Sequence, residues 1–149
     1  MITVREAAPA DADVLATLNN AYNRLKRNPD QIRQSLTTKS RAETVLVAEE
    51  AGVVIGFTCF QLLQSVCYDA PWVELCDLYV TPAHRRRRVG LALVQEADRR
   101  AEKAGASEFL LRTNEKNREA QALYSQAGLA SEAQVVFTRR YDRRGLTSA

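Results

Sequence analysis

The stretch from Asp77 to Ala92 reads DLYVTPAHRRRRVGLA and combines the end of a strand, a basic loop and the start of a helix. A loop that enters a helix N-terminus presents backbone N–H groups without intrahelical partners, and the helix dipole adds partial positive charge there. Gly90 permits close approach of the backbone to a ligand, and arginines 85 to 88 add charged donors for phosphate oxygens. The stretch therefore predicts a phosphate or pyrophosphate site at a helix start.

The elements on either side of this stretch predict an α/β (α+β) fold with a mixed sheet. The strand before the loop, 72–80, the helix after it, 90–103, and the strand that follows, 108–112, can form a right-handed crossover, which would make the two strands parallel. Alternation and helical spacing of apolar residues predict the other elements. These are strands at 2–6, 44–49, 53–63 and 134–141, helices that begin at Pro9 and Pro29, and a helix at 117–127.

The bulk composition predicts one soluble domain. The chain has 149 residues, of which 46% are hydrophobic and 26% charged, and no linker rich in Gly, Pro or Ser divides it. We expect a single domain over 1–149, with a polar tail at 142–149. The net charge of +3 and the pI of 8.9 are compatible with an anionic ligand.

Cysteine and histidine usage predicts neither a disulfide framework nor a metal site. The cysteines are Cys59, Cys67 and Cys76, an odd number without a C-x-x-C pair, and His84 is the only histidine. The N-terminus lacks the apolar run of a signal peptide, and no stretch is apolar for long enough to span a membrane. We therefore expect a cytoplasmic protein with no metal and no membrane contact.

The second informative segment runs from Asn117 to Leu129 and reads NREAQALYSQAGL. One helix face is shared by residues at three- and four-residue spacing, namely Ala120, Leu123, Tyr124 and Ala127. On physical grounds alone this is a core-facing stripe with a tyrosine at its edge, followed by a glycine stop.

Together the two segments resemble the GCN5-related N-acetyltransferase (GNAT) family. The first is similar to that family's Gln/Arg-x-x-Gly-x-Gly/Ala loop, with Arg85 in the first position, Gly90 in the last, and Arg88 where the first glycine is usual. The preceding Leu78-Tyr-Val-Thr-Pro82 commonly introduces that loop. The second segment matches Asn-x-x-Ala-x-x-Leu-Tyr-x-x-x-Gly-Phe except at Leu129. The resemblance covers roughly residues 2–141.

This resemblance implies a fold, an activity and a binding site. The fold would be a mixed, mostly antiparallel sheet of six to seven strands flanked by about four helices, with a central parallel strand pair splayed around the cofactor. The activity would be acetyl-CoA-dependent transfer of an acetyl group to a primary amine of a small molecule, peptide or protein. The implied acetyl-CoA contacts are Leu78, Tyr79, Val80, Arg85, Arg86, Arg87, Arg88, Val89, Gly90, Leu91, Ala92, Asn117, Ala120 and Tyr124.

The resemblance also implies catalytic roles. Tyr124 would protonate the leaving thiolate, and a carboxylate of the 72–80 strand would deprotonate the amine. Glu74 is the preferred base, with Asp77 as the alternate or as an amine-binding group. In a regular strand Glu74 shares a face with Cys76 and Asp77 points the other way, although the β-bulge usual in this strand of the family would break that parity. Cys76 itself is expected to be a buried apolar residue rather than a nucleophile.

Two other functions remain open at this point: a non-catalytic acyl-CoA-binding module on the same fold, and a small basic nucleic-acid-binding protein. No aromatic stacking set or recognition helix accompanies the arginine run, so nucleic acid is not the expected partner. The acceptor pocket would be built from residues 22–40, the 64–72 loop and the strand with Glu74. Basic residues outnumber acids in these segments, which argues against a polycationic acceptor. The resemblance leaves a homodimer open.

Overall fold

The computed structural model describes residues 1–38 and 41–142, and within them a five-stranded sheet carries helices on both faces. The strands lie side by side in sequence order. They are β1 (Ile2–Glu6), β2 (Glu43–Glu50), β3 (Val53–Leu63), β4 (Trp72–Val80) and β5 (Phe109–Leu111). The helices are α1 (Ala12–Asn23), α2 (Pro29–Thr37), α3 (Val89–Lys103) and α4 (Arg118–Gln126), with 3-10 turns at Pro9–Asp11 and Pro82–His84.

The first four strands are antiparallel neighbours, and the β4–β5 pair is parallel, as the crossover predicted. The β2–β3 turn consists of Ala51 at φ 49° and Gly52 at φ 78°. Positive φ at both turn residues gives a two-residue hairpin the twist of its flanking strands. The β4–α3–β5 crossover brings the end of β4 next to the start of α3, which positions the predicted anion loop.

The core has one apolar layer on each face of the sheet. Side chains of β2 alternate between the layers because successive residues of a strand point to opposite faces. Leu46 and Ala48 pack with α3, whereas Val45 and Val47 pack with α1. The α3 layer is completed by Ile55, Phe60, Val73, Leu75, Leu93, Val94 and Ala97, all buried.

The predicted strand at 134–141 is wrong. Residues 129–141 contain neither helix nor strand, and Val135 and Phe137 are 81% and 93% exposed. The alternation there suits a strand, but a strand forms only against a hydrogen-bonding partner, and no described strand pairs with this segment. The sheet therefore has five strands in the described part of the chain, not six to seven.

The other predicted elements are confirmed within a few residues, except that the helix expected from Pro9 begins as a 3-10 turn and becomes α-helical at Ala12. None of the helices within 1–38 and 41–142 combines the length and apolarity that a membrane crossing requires. Of the predicted polar tail, residues 143–149 lie outside the described residues.

Candidate active site

A cleft opens where β4 and β5 separate. The two strands pair only through Val73–Leu75 and Phe109–Leu111, and β4 then continues to Val80 without β5 beside it. The opening is flanked by α3 and α4 and has a volume of about 890 Å³. It is lined by arginines 24, 85, 86, 88 and 112, whereas the single acid among its described lining residues is Glu119. This geometry suits a large anionic ligand.

The backbone of the arginine loop is shaped to bind an anion. Arg86 and Arg88 have φ of 59° and 65°, and the residues between and before them do not have positive φ. Because residues with positive φ alternate with residues without it, successive backbone N–H groups point toward one concave side, an arrangement called an anion-binding nest. Arg88 is also the N-cap of α3, and its side chain caps no N–H group of that helix. The first-turn N–H groups of α3 therefore stay available to a ligand.

The four arginine side chains of the loop, at positions 85 to 88, differ in their contacts. The Arg85 Nε donates to the carbonyl oxygen of Val80 at 3.0 Å, and its guanidinium lies 5.6 Å from the centre of the Tyr79 ring. Arg87 turns away from the cleft and binds Glu50 at 2.8 Å. Arg86 and Arg88 line the cleft and are exposed. Arg86 and Arg88 therefore have guanidinium groups available to a ligand beside the backbone nest.

Close contact between α3 and α4 determines the position of the second predicted segment. A Cβ added at Gly90 would lie 2.7 Å from the Leu123 Cδ1 atom, so a larger residue there requires Leu123 of α4 to shift. The α4 N-cap, Asn117, accepts a hydrogen bond from the backbone N–H of Ala120 at 3.1 Å. Both residues and Tyr124 line the cleft. Ala92 lies two residues after Gly90 on α3 and is not among the lining residues.

Tyr124 holds its proton in this site, because burial raises the pKa of its hydroxyl and the nearby Tyr22 hydroxyl raises it further. Tyr22 of α1 also lines the cleft. Burial raises the pKa of its hydroxyl, the charge of Asp77 raises it further, and a hydrogen bond from the backbone N–H of Leu78 lowers it. Its ring contacts those of Phe57 and Tyr79 at centroid distances of 6.3 and 5.4 Å. Tyr22 and Tyr124 therefore both line the cleft beside β4.

A β-bulge in β4 decides where the two candidate bases face. Leu75 pairs with Phe60 and Asp77 with Cys59, so Cys76 has no partner across the β3–β4 ladder. Leu75 and Leu78 both pack on the α3 side, which leaves Glu74 and Asp77 together on the α1–α2 side. The bulge also exposes Cys76, which lines the cleft, so the expectation that it is buried is wrong.

The two carboxylates have different surroundings. Glu74 forms an ion pair with Arg112, which follows β5, and neither Glu74 nor Asp77 is among the residues that line the cleft. Asp77 lines a second cavity, which lies between α1, α2 and the sheet and also contains Glu43. Its charge reaches Tyr22, which lines the cleft. The charge of Glu74 acts on Cys76, which lines the cleft as well.

Comparison with known proteins agrees with this arrangement. The model of the acetyltransferase (GNAT) family matches residues 13–129, from α1 through the glycine stop after α4. The chain belongs to the GNAT family of acetyltransferases. It is 32% identical over 141 residues to YhfO, an uncharacterised N-acetyltransferase of Bacillus subtilis strain 168, covering 91% of this chain and 94% of that protein. Since its family and its matched relative are N-acetyltransferases, this GNAT chain is an N-acetyltransferase as well.

Solved structures share the GNAT fold at low sequence identity. A ribosomal-protein-alanine N-acetyltransferase from Brucella melitensis biovar Abortus has a TM-score of 0.78 at 21% identity, with 94% of this chain and 99% of that chain covered. The aminoglycoside acetyltransferase AAC(6')-Iy, in complex with the bisubstrate analogue CoA-S-monomethyl-acetylneamine, has a TM-score of 0.80 at 20% identity, with 95% and 99% covered.

The structure brings most of the predicted cofactor residues of this GNAT chain into one cleft. From β4, the loop, α3 and α4 it gathers Leu78, Tyr79, Val80, Arg85, Arg86, Arg88, Val89, Gly90, Leu91, Asn117, Ala120 and Tyr124. Arg87 and Ala92 lie outside its lining. Sequence reasoning included Tyr22 only as the first residue of the predicted acceptor region 22–40, and it did not identify Glu43, which reads as an ordinary strand residue.

Proposed function

We propose that this GNAT enzyme transfers the acetyl group of acetyl-CoA to a primary amine by direct attack, with Asp77 as the base and Tyr124 as the acid. The observation that carries the proposal is the half-buried Tyr124 hydroxyl, which faces the splayed end of β4 inside a basic cleft. On one side of it lies an anion-binding loop, and on the other a carboxylate-lined cavity.

The cleft fits acetyl-CoA as a substrate. The nest at Arg86 and Arg88 and the open N-terminus of α3 would hold the pyrophosphate, and Asn117 would contact the pantetheine arm. The Val80 carbonyl already accepts a hydrogen bond from Arg85, which fixes the loop against β4. The thioester supplies an activated acyl group with a thiolate leaving group.

The acceptor must first lose a proton, because an alkyl amine with a pKa near ~10 is protonated at neutral pH. Asp77 takes that proton, directly or through water, and the neutral nitrogen forms a bond to the thioester carbon. Asp77 is preferred to Glu74 because its charge acts on the hydroxyl of Tyr22, which lines the cleft. This reverses the preference that the sequence favoured.

The remaining groups handle the charges that develop. The backbone N–H of Leu78, which lies near the Tyr22 hydroxyl, would stabilise the oxyanion. As the carbon–sulfur bond breaks, Tyr124 donates its proton to the thiolate, whose free thiol has a pKa near ~8.5. Burial of Tyr124 keeps this proton in place until then.

Release of free CoA thiol with a panel of amines tests the activity, and three variants test the roles. Tyr124→Phe should lower kcat about 100-fold at pH 7, within the range of a lost general acid, with a smaller deficit above the pKa of the thiol. Asp77→Asn should lose more than Glu74→Gln. Equal rates for Tyr124→Phe and the wild type at every pH would refute the acid role.

Binding experiments separate the alternatives. Acetyl-CoA should raise the melting temperature, since a ligand that binds only the folded state stabilises it. Stabilisation without thiol release from any amine would indicate a non-catalytic acyl-CoA-binding module. Absence of stabilisation at millimolar acetyl-CoA would refute both cofactor-dependent functions.

A further inference from the structure

The backbone N–H of Leu78 points into the cleft. The Thr58 hydroxyl of β3 donates to the Asp77 carbonyl oxygen at 2.7 Å. In a planar trans peptide the C=O and the following N–H point in opposite directions, so the Leu78 N–H points away from β3. On that side β5 pairs only with Val73–Leu75, and within residues 1–38 and 41–142 no other strand lies beside β4. The sheet therefore leaves this donor to a partner in the cleft.

The neighbouring peptide groups of β4 confirm this direction. Thr81 donates its N–H to the Ile55 carbonyl oxygen of β3 at 2.9 Å, so the Val80 carbonyl of the same peptide points away from β3. The Arg85 side chain binds that carbonyl from the loop. Alternate residues of a strand direct their N–H and C=O groups to the same edge. Leu78 and Val80 therefore share the edge of β4 that faces the cleft.

The Tyr22 hydroxyl is the partner that the Leu78 N–H finds. Tyr22 lies in the last turn of α1 and lines the cleft together with Leu78. Its hydroxyl accepts a hydrogen bond from the Leu78 N–H. Its ring contacts the rings of Phe57 and Tyr79 at centroid distances of 6.3 and 5.4 Å. These contacts hold the hydroxyl oxygen at the open edge of β4.

The same N–H has a second acceptor in the proposed reaction. There it donates to the oxyanion that develops on the thioester carbonyl oxygen, which would lie about 3 Å from the Leu78 nitrogen. The Tyr22 hydroxyl oxygen lies on that side of the nitrogen when no acyl group is bound. Because two oxygens cannot accept one N–H along the same line, an acyl carbonyl must displace the Tyr22 hydroxyl.

Free CoA does not compete with Tyr22 in this way. It has a thiol in place of the thioester and therefore no carbonyl oxygen, so the contact between Tyr22 and Leu78 can persist in its complex. Tyr22 is 40% exposed, and its ring can turn toward solvent without opening the buried core. The hydroxyl then exchanges a protein partner for water, while the N–H keeps an acceptor throughout.

We propose that Tyr22 is a residue that distinguishes acyl-CoA from CoA. Its hydroxyl holds the Leu78 N–H while CoA or no ligand is bound, and it gives up this donor to the carbonyl oxygen of an acyl-CoA. The inference rests on the proposed function, which places the acyl carbonyl at this N–H. Because the hydroxyl competes with the acyl group, its removal should favour ligands that carry the carbonyl.

Acetyl-CoA and S-ethyl-CoA test the proposal, because their two-carbon groups differ only at the carbonyl. Calorimetric titration in the absence of an amine gives a Kd for each. Tyr22→Phe keeps the ring and removes the hydroxyl, so the Kd ratio of S-ethyl-CoA to acetyl-CoA should rise about fivefold, as for one hydrogen bond. Tyr141→Phe is the matched control, which removes a tyrosine hydroxyl outside the cleft lining and should keep the wild-type ratio.

Hydrogen exchange of the Leu78 amide, followed by NMR, measures the contact directly. Without ligand and with S-ethyl-CoA, this amide should exchange about fivefold faster in Tyr22→Phe than in the wild type, because it has lost its acceptor. With acetyl-CoA the two proteins should protect it equally, since the carbonyl oxygen then accepts its hydrogen bond. Equal exchange in the two ligand-free proteins would show that Tyr22 does not hold this donor and would overturn the inference.

The remaining outcomes separate the inference from the proposed function. A Kd ratio that stays unchanged or falls in Tyr22→Phe overturns the inference alone, and a fall would make Tyr22 a second donor to the carbonyl oxygen. If acetyl-CoA binds but no amine releases its thiol, the transfer activity fails, and the Kd ratio still decides the inference. If neither ligand binds the wild type, both fail together.

Discussion

Substituting Arg88 separates the shape of the anion loop from its charge. Arg88 has φ 65° and ψ 12°, a left-handed conformation that glycine adopts without strain. A non-glycine residue there costs roughly 1–2 kcal/mol, whereas glycine costs about 0.5–1 kcal/mol more chain entropy than alanine. The Arg88 side chain is exposed and caps no N–H group, so its removal loses little packing. Arg88→Gly should therefore stabilise the fold by about 0.5–1 kcal/mol.

Arg88→Ala is the matched control, because it removes the same guanidinium and keeps the Cβ atom. A chain of this size gains about 2–4 °C in Tm per 1 kcal/mol, so the glycine variant should melt about 1–4 °C above the alanine variant. Calorimetry of the CoA-free protein measures the difference. The same two substitutions at Arg86, which has φ 59°, provide an independent repeat of the test.

Titration with CoA completes the test. Both Arg88 variants should weaken CoA binding alike, by up to about fivefold, since an exposed ion pair contributes about 0.2–1 kcal/mol. Equal melting temperatures for the two variants would refute the backbone-strain reasoning. Loss of CoA affinity in the alanine variant alone would indicate that backbone shape, rather than charge, holds the phosphate.

Three further predictions concern the sheet and the cavity. Gly56→Ala places a Cβ 2.8 Å from the backbone carbonyl oxygen of Tyr79, which cannot move aside, so we expect a loss of about 2 kcal/mol and a Tm about 4–8 °C lower by thermal melting. The Cβ of Gly90→Ala meets the end of the Leu123 side chain, and a gain of about 1 kcal/mol in helix propensity offsets part of this overpacking. We therefore expect Tm to change little, whereas kcat should fall because Leu123 and α4 shift. Glu43→Gln should have a higher Tm than the wild type at neutral pH, because the raised pKa of Glu43 means that its ionised form destabilises the fold. The difference in Tm should disappear as the pH falls below 4.5, the ordinary pKa of a glutamate, and melting curves across pH measure it.

Local sequence patterns were sufficient to predict much of the site. Asn117 reads as a helix start from its neighbours alone, and the structure makes it the α4 N-cap. The basic loop before Gly90 predicts an anion site because helix N-termini bind anions wherever they occur. The segment at 134–141 shows the limit of such patterns, since alternation describes a surface that could pair but not whether a partner strand is present.

The sheet face on which each site residue lies, and its neighbours in space, could be known only from the tertiary structure. One bulged residue, Cys76, moves Asp77 to the face of Glu74, and no local pattern reveals which residue will bulge. Glu43 and Asp77 lie on different strands, and only the β2–β3–β4 order brings both into one cavity with Arg27 of the α1–α2 connection.

The sequence by itself determined the order of the elements up to α4, the anion loop and the tyrosine helix, because each depends on residues close together along the chain. Only the tertiary structure decided the strand count, the meeting of Tyr22 and Tyr124 in one cleft, the face on which Asp77 lies, and the meeting of Glu43 and Asp77 in one cavity. These depend on which side chains meet across the sheet, and their energies come from burial and charge between residues far apart in sequence.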